Sequence, residues 1–304
     1  MPGLRGCLVA PPPWDARVAG VFSKAIALAL PSGILISVVR DEEGMEALAL
    51  WPGAEAYARI DAAARAGAAG DRARSAAIAA IEAAYAAAEP WDPRPRLAEL
   101  SRAFAAAGRG GAPAAAADRL RAALRRAEAA DRGRRGGADG AGDDGTIRGS
   151  GPYGRAFAAM RERDGFPAAL VGFGPGTTPA GDDWLAGYLC AADLAGGRGP
   201  GGAEAALRNE IVRRLERTTA AGRSLLTGAL EGVPPRYLCD LAESLAATEP
   251  SAGAAAAVDD EAGGPDAGLI AAVESALSHG ASSGRDAVDG FLSGLLGLGA
   301  TAAA

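Results

Sequence analysis

Histidine and lysine are almost missing from this 304-residue chain: His279 and Lys24 stand alone against 30 arginines. One histidine excludes histidine-rich metal sites and acid–base schemes that need two, and one lysine leaves Schiff-base chemistry a single candidate. Any catalysis must use carboxylates, hydroxyls, arginines or backbone groups. Cysteine is scarce too. Cys7, Cys190 and Cys239 are odd in number, far apart and without C-x-x-C spacing, which fits reduced packing thiols and gives no zinc framework. No uninterrupted apolar run reaches the roughly 18 residues of a membrane span. The apolar start is broken by Pro11, Pro12 and Pro13, so no signal peptide and no membrane partner are expected, and a cytoplasmic location is.

A net charge of −6 argues against a nucleic-acid partner. The charge is uneven: residues 94–164 hold 15 arginines and 9 acids, a balance of +6 that leaves −12 for the remainder. Such a block reads as a solvated basic connector. With 49% hydrophobic residues the chain can bury one large core or two smaller ones.

Residues 18–50 alternate apolar runs with turn signals at Pro31-Ser32-Gly33 and Asp41-Glu42-Glu43-Gly44, a pattern that predicts three strands joined by two hairpins. Residues 54–88 are alanine-rich and predict one or two helices. Helix is expected again over 97–130 with an interruption at 108–113, and the glycine, aspartate and arginine tract 131–151 reads as disordered. Helical periodicity resumes at 153–160. Later helices are expected over 204–229, 236–247 and 266–277, with a low-complexity loop over 248–264. The expected fold class is α+β. A small β-rich part (1–60) precedes a helical connector with the disordered tract (61–150) and a mostly helical domain (151–304).

The densest signal is Gly172-Phe173-Gly174-Pro175-Gly176-Thr177-Thr178-Pro179-Ala180-Gly181-Asp182-Asp183. Four glycines and two prolines in ten residues cannot form a core element but can hold a tight turn that approaches a ligand closely. Thr178 followed by Pro179 reads as an N-cap and first helical position, leaving free N–H groups and the positive dipole end for a phosphate or carboxylate. The adjacent carboxylates Asp182 and Asp183 could hold Mg²⁺ through waters and substrate phosphates.

A second copy follows 103 residues on. Gly181-Asp182-Asp183-Trp184-Leu185-Ala186-Gly187-Tyr188-Leu189 and Gly284-Arg285-Asp286-Ala287-Val288-Asp289-Gly290-Phe291-Leu292 both fit G-x-D-x-φ-x-G-aromatic-L. The aspartate and second glycine, four apart, share one helix face. Two such helices would cross near Gly187 and Gly290 and bring Asp183 and Asp286 together, with Ser282 and Ser283 matching Thr177 and Thr178 as the hydroxyl residues before each helix. A third polar cluster, Arg217-Thr218-Thr219 with Arg223-Ser224, falls within an apolar segment read as one helix over 211–230, and arginine suits bidentate recognition of carboxylate or phosphate. The first loop lacks the G-K-[ST] ending of a P-loop and the G-x-G-x-x-G order of a dinucleotide fold. No nucleophile elbow surrounds Ser282 or Ser283.

At these residues the chain resembles the AllH-type subunit of oxamate carbamoyltransferase, a family formerly known only as a domain of unknown function. Residues 172–187 match its pattern G-[LF]-G-P-G-x-T-P-[SA]-G-D-D-[FW]-L-x-G. Arg217-Thr218-Thr219 is similar to its Arg-Thr-Thr segment, and residues 280–286 to its closing G-H-[ST]-S-G-x-D, with Ala281 where a histidine is usual and His279 two places earlier. The N-terminal strands resemble the family's start as well. The resemblance implies a subunit of a heteromeric carbamoyltransferase that handles carbamoyl phosphate with oxamate and oxalurate in allantoin degradation. The residues expected to bind the small anion are Gly174, Gly176, Thr177, Thr178, Gly181, Arg217, Thr218, Ser283 and Gly284, with Asp182, Asp183 and Asp286 as catalytic candidates. The rival expectation is a non-catalytic partner whose glycine motifs pack helices against another subunit.

Overall fold

The computed structural model describes residues 3–66, 71–107, 112–134, 152–162, 165–196, 202–247 and 266–297. An N-terminal open, mixed β-sheet is followed by an α-helical C-terminal region. The expected loop over 248–264 lies outside the described residues, as does the tract 131–151 except for 131–134. Among the described residues, no helix is long and apolar enough to cross a membrane. The chain divides into two compact units, the first Met1–Pro93 with Thr219–Arg236, the second Arg94–Thr218 with Tyr237–Ala304.

In the first unit six strands, β1 (Leu4–Gly6), β2 (Arg17–Val21), β3 (Ala25–Ala29), β4 (Leu35–Val39), β5 (Ala49–Trp51) and β6 (Glu89–Trp91), run in the order β2-β3-β4-β5-β1-β6. The hairpin expected at Pro31-Ser32-Gly33 is present: β3 and β4 pair antiparallel, and Gly33 takes the positive φ of 80° that a tight reversal needs. Two details differ from the expectation. The run 18–30 is itself a hairpin, β2 and β3, closed by Phe22 N–H donating to the Ala25 carbonyl at 2.8 Å. And β4 and β5 pair in parallel, so the acidic turn makes no hairpin. Its residues Glu42–Gly44 close a 3-10 turn instead, with Met45 N–H donating to the Glu42 carbonyl, and Gly44 stays out of the left-handed region that a hairpin turn would require.

Alternation along β3 and β4 sends Ile26, Leu28, Ile36 and Val38 to one face, where they are wholly buried with Tyr57 and Ile60 of α1 (Ala54–Ala66) and Ala77 and Ile81 of α2 (Asp71–Ala87). Helix α8 (Ala220–Leu230) belongs to this unit: Ser224 Oγ accepts from Leu35 N–H at 3.1 Å, and a Cβ on Gly228 would meet that of Ala47 at 2.7 Å.

The second unit comprises α3 (Arg94–Ala107), α4 (Ala112–Arg134), α5 (Pro152–Arg161), α6 (Ala180–Leu194), α7 (Gly202–Arg214), α9 (Arg236–Ala247, from Tyr237 on), α10 (Ala267–Leu277) and α11 (Ser283–Leu295). Every residue of α6 except Asp193 is buried, the signature of a central helix. The single helix expected over 211–230 is broken. After α7 comes a 3-10 turn (Leu215–Arg217), Thr218 is extended, and Thr219 caps α8 by accepting from Gly222 N–H at 2.9 Å. The hydroxyls of two consecutive β-branched residues find partners outside a helix, so the helical periodicity is overridden there.

Candidate functional site

The site begins at the crossing of α6 and α11. A Cβ on Gly187 would lie 2.8 Å from the Ala287 carbonyl carbon and 2.9 Å from Phe291 N, and one on Gly290 would lie 2.7 Å from the Trp184 carbonyl carbon and 2.9 Å from Trp184 Cα. The obstructing atoms are backbone, so only glycine permits this approach. The crossing expected from the repeated motif is thus present, and both glycines face partners within this chain, not another subunit. Behind the crossing, Trp184 stacks on Tyr188 at 5.4 Å and meets Phe166 and Phe157 at 5.6 and 5.9 Å, which fixes the rotation of α6.

The glycine turn leading into α6 takes left-handed φ values at alternate residues, 75° at Gly172, 99° at Gly174 and 111° at Gly176. Gly172 packs so closely on the Arg217–Thr218 backbone that a Cβ would sit 3.1 Å from the Arg217 carbonyl carbon. Gly174 lies over Ala180, and Gly181 is pressed against Leu170, where a Cβ would come 3.0 Å from the carbonyl carbon. Pro175, Gly176 and Thr177 are exposed.

Two features of the helix start differ from the expectation. Pro179, not Thr178, is the N-cap, because its ψ of 142° already lies outside the helix. The amides expected to be free are taken: Gly181 N–H donates to the Phe173 carbonyl at 2.8 Å, and Asp182 and Asp183 N–H both donate to the Pro179 carbonyl, at 2.8 and 3.2 Å. These three amides, like those of Gly172 and Phe173 in the turn, are closed to an anion.

Released from capping, Thr178 pairs its hydroxyl with that of Ser283, the first residue of α11, at 3.3 Å. Behind the two half-buried hydroxyls lies Asp183, only 3% exposed. Burial pushes its carboxyl well above the ordinary range; the Ser283 hydroxyl opposes the rise, the charges of Asp286 and Asp182 add to it, and the Thr178 hydroxyl opposes it again. Asp183 Oδ2 has no hydrogen-bond partner among the described residues. Asp286, at 0% exposed, completes the cluster, so the structure brings together Thr178 and Asp183 of one motif copy and Ser283 and Asp286 of the other. Gly284 anchors the start of α11: its N–H donates to the His279 carbonyl at 3.0 Å, and a Cβ there would lie 2.8 Å from the Ala276 carbonyl carbon. His279 stacks on Tyr237 at 4.5 Å, while Ala281 is exposed.

Asp182 and Asp183 do not act as a pair. Successive helix residues point about 100° apart, and Asp182 turns away from α11, accepting from Gly172 N–H at 2.8 Å and from the Thr218 hydroxyl. Burial raises its carboxyl to about 6 even though both hydrogen bonds work against the rise. No three histidine, cysteine or carboxylate side chains among the described residues are placed to hold a metal ion, and Asp182 and Asp183, expected to share a Mg²⁺, turn to different partners. Arg217 is exposed, and among the described residues its guanidinium makes no hydrogen bond or ion pair; only its backbone is held, against Gly172. The buried Asp289 was not among the candidates read from sequence. Its signal was available, since three residues past Asp286 on a helix is the same face.

Because Thr218 ties Asp182 to the turn, Thr218→Val, which keeps the shape and removes the hydroxyl, should lower stability by about 1.5–3 kcal/mol, the worth of a hydrogen bond to a charged group. Urea unfolding measures it, and a loss below about 0.5 kcal/mol, the scatter of neutral surface changes, would mean the contact does not form.

No curated protein and no solved structure matches the chain. A protein-family model does, that of the oxamate carbamoyltransferase subunit AllH, and its match over residues 170–295 takes in the glycine turn, the Arg-Thr-Thr segment and both copies of the motif, which supports assigning this region to that family.

Proposed function

We propose that the chain is a cytoplasmic subunit of a carbamoyltransferase complex that joins carbamoyl phosphate to oxamate, or runs the reverse reaction on oxalurate, in allantoin degradation. The observation that carries the reading is the meeting of Asp183 and Thr178 with Ser283 and Asp286, at the crossing of two helices that carry the same motif. Around it the exposed turn offers the amides of Gly174 and Gly176 to a small anion, and Arg217 offers a guanidinium suited to carboxylate or phosphate. In the transfer, the amide nitrogen of oxamate forms a bond to the carbamoyl carbon as the carbon–oxygen bond to phosphate breaks. The nitrogen's proton passes to a carboxylate of the Asp183–Asp286 pair and leaves with the phosphate. A carboxyl raised by burial is suited to that exchange, because a proton acceptor works best with its pKa near the working pH. Asp182 is a positioning residue that holds the turn to Thr218. The matched family model, named for a subunit of this transferase, supports the same reading.

Carbamoyl phosphate, oxamate or phosphate should therefore raise the melting temperature of the chain, with a stabilisation of about 2.7 kcal/mol at one hundred times the dissociation constant, and Arg217→Ala should abolish the shift. In the assembled complex, Asp183→Asn should cut transferase activity at least about tenfold, as loss of a general base does, with assembly intact. Activity that survives the change would favour a non-catalytic partner.

A further inference from the structure

We propose that Asp183 selects the ligand's primary amide end, –CO–NH₂, over a carboxylate of the same size, through its Oδ2 atom; this rests on the anion-site reading above. Oδ2 is shielded from water and has no hydrogen-bond partner among the described residues, which is costly for a carboxyl oxygen. A group that completes it must suit both of its states. Ionised, it accepts and needs an N–H; protonated, it donates and needs a C=O. A primary amide presents both side by side, whereas a carboxylate suits the protonated state alone. The carboxylate also brings a second negative charge next to Asp286 and Asp182, which already act on Asp183 as like charges.

The ligand must pass the Thr178 and Ser283 hydroxyls, which are half-buried above Asp183. Their mutual contact, at 3.3 Å, is longer than the usual hydroxyl pair, so Thr178 can turn off Ser283 at small cost. The anionic end of the same ligand then faces the exposed turn and Arg217. One small molecule with an amide at one end and a carboxylate at the other is oriented by the difference between the two ends of the site.

Oxamate and oxalate differ only in NH₂ against O⁻, and titration calorimetry of the full chain at pH 8 with each, and with inorganic phosphate, tests the proposal. Oxamate should bind about ten- to a hundredfold more tightly, the range for one hydrogen bond to a buried charged group. Asp183→Asn, nearly the same shape and now able to donate to oxalate, should bring the ratio close to one with its melting temperature kept. Oxalate binding the wild type as tightly as oxamate would overturn the proposal, as would a ratio unchanged in Asp183→Asn; phosphate binding without oxamate would overturn it and leave the anion site standing. Binding of none of the three overturns both.

Discussion

Gly290→Ala is expected to destabilise the protein by about 3 kcal/mol or more, although alanine is the better helix former. Intrinsic propensity alone would give a gain of about 1 kcal/mol. Against it stands the new methyl's overlap with the Trp184 backbone, 2.7 Å from its carbonyl carbon. Overpacked cores usually lose about 1–3 kcal/mol by shifting flexible side chains. No such escape exists here, because the obstruction is the main chain of α6, and relief requires the two helices to separate along a face that buries Ala191, Ala287 and Phe291. Gly187→Ala should behave alike, since it meets Ala287 and Phe291 N from the other side. The double variant should lose less than the sum, because one separation relieves both overlaps. Gly268→Ala in α10, where nothing lies within 4 Å of an added Cβ, is the control and should be neutral or stabilising. Urea unfolding of the four variants decides the matter; a Gly290→Ala protein as stable as wild type would refute the crossing.

Asp182 should make the protein less stable as pH rises from about 4 to 6, the reverse of the usual carboxylate. In the unfolded chain its carboxyl ionises near the ordinary 3.8, and in the folded protein near 6. Between those values the folded state holds a proton that the unfolded state has lost. Stability therefore falls as pH climbs through this window and levels off above it. A rise of about two pKa units corresponds to about 3 kcal/mol. Carboxylates in ion pairs, such as Glu210 with Arg213 and Arg214, titrate in the opposite sense, so the wild type alone does not isolate the effect. Asp182→Asn does, because asparagine can still accept from Gly172 N–H and can donate to the Thr218 hydroxyl. The stability of Asp182→Asn relative to wild type should grow by about 2.5 kcal/mol from pH 4 to pH 7, read from unfolding free energies at each pH. A difference that stays flat would show that Asp182 is not held in the buried site.

The helix crossing was legible because Gly187 and Gly290 go against local preference: two helix-interior glycines at matching positions in an alanine-rich chain call for a packing reason. The convergence of Asp183 and Asp286 followed from that spacing. Gly33 was legible as a hairpin turn for a similar reason, as a flexible residue between two apolar runs. Gly44 carried the same surface signal and meant something else, because a sequence does not display φ, and an acidic 3-10 turn and an acidic hairpin share a composition. The break before α8 was hidden because Thr218 and Thr219 fit the helical period; what ends the helix is a hydrogen bond from Thr218 to Asp182, 36 residues away. The divergence of Asp182 from Asp183 and the occupied amides of α6 depend on where Phe173, Thr218 and Ser283 come to rest, which local pattern cannot supply.

The matched region 170–295 is not a piece that can be cut out and kept. It carries Thr219–Arg236, whose helix α8 is part of the unit built on the N-terminal sheet. A fragment spanning only the matched region would turn the buried face of α8, with Leu225, Leu226 and Ala229, out to water, at about 1.5–3 kcal/mol for each large side chain. The same threading makes the sheet and the helical motifs heritable only as one block: recombination between residues 93 and 170 would separate α8 from the strands it belongs with, so the N-terminal third and the motif region must change partners together or not at all.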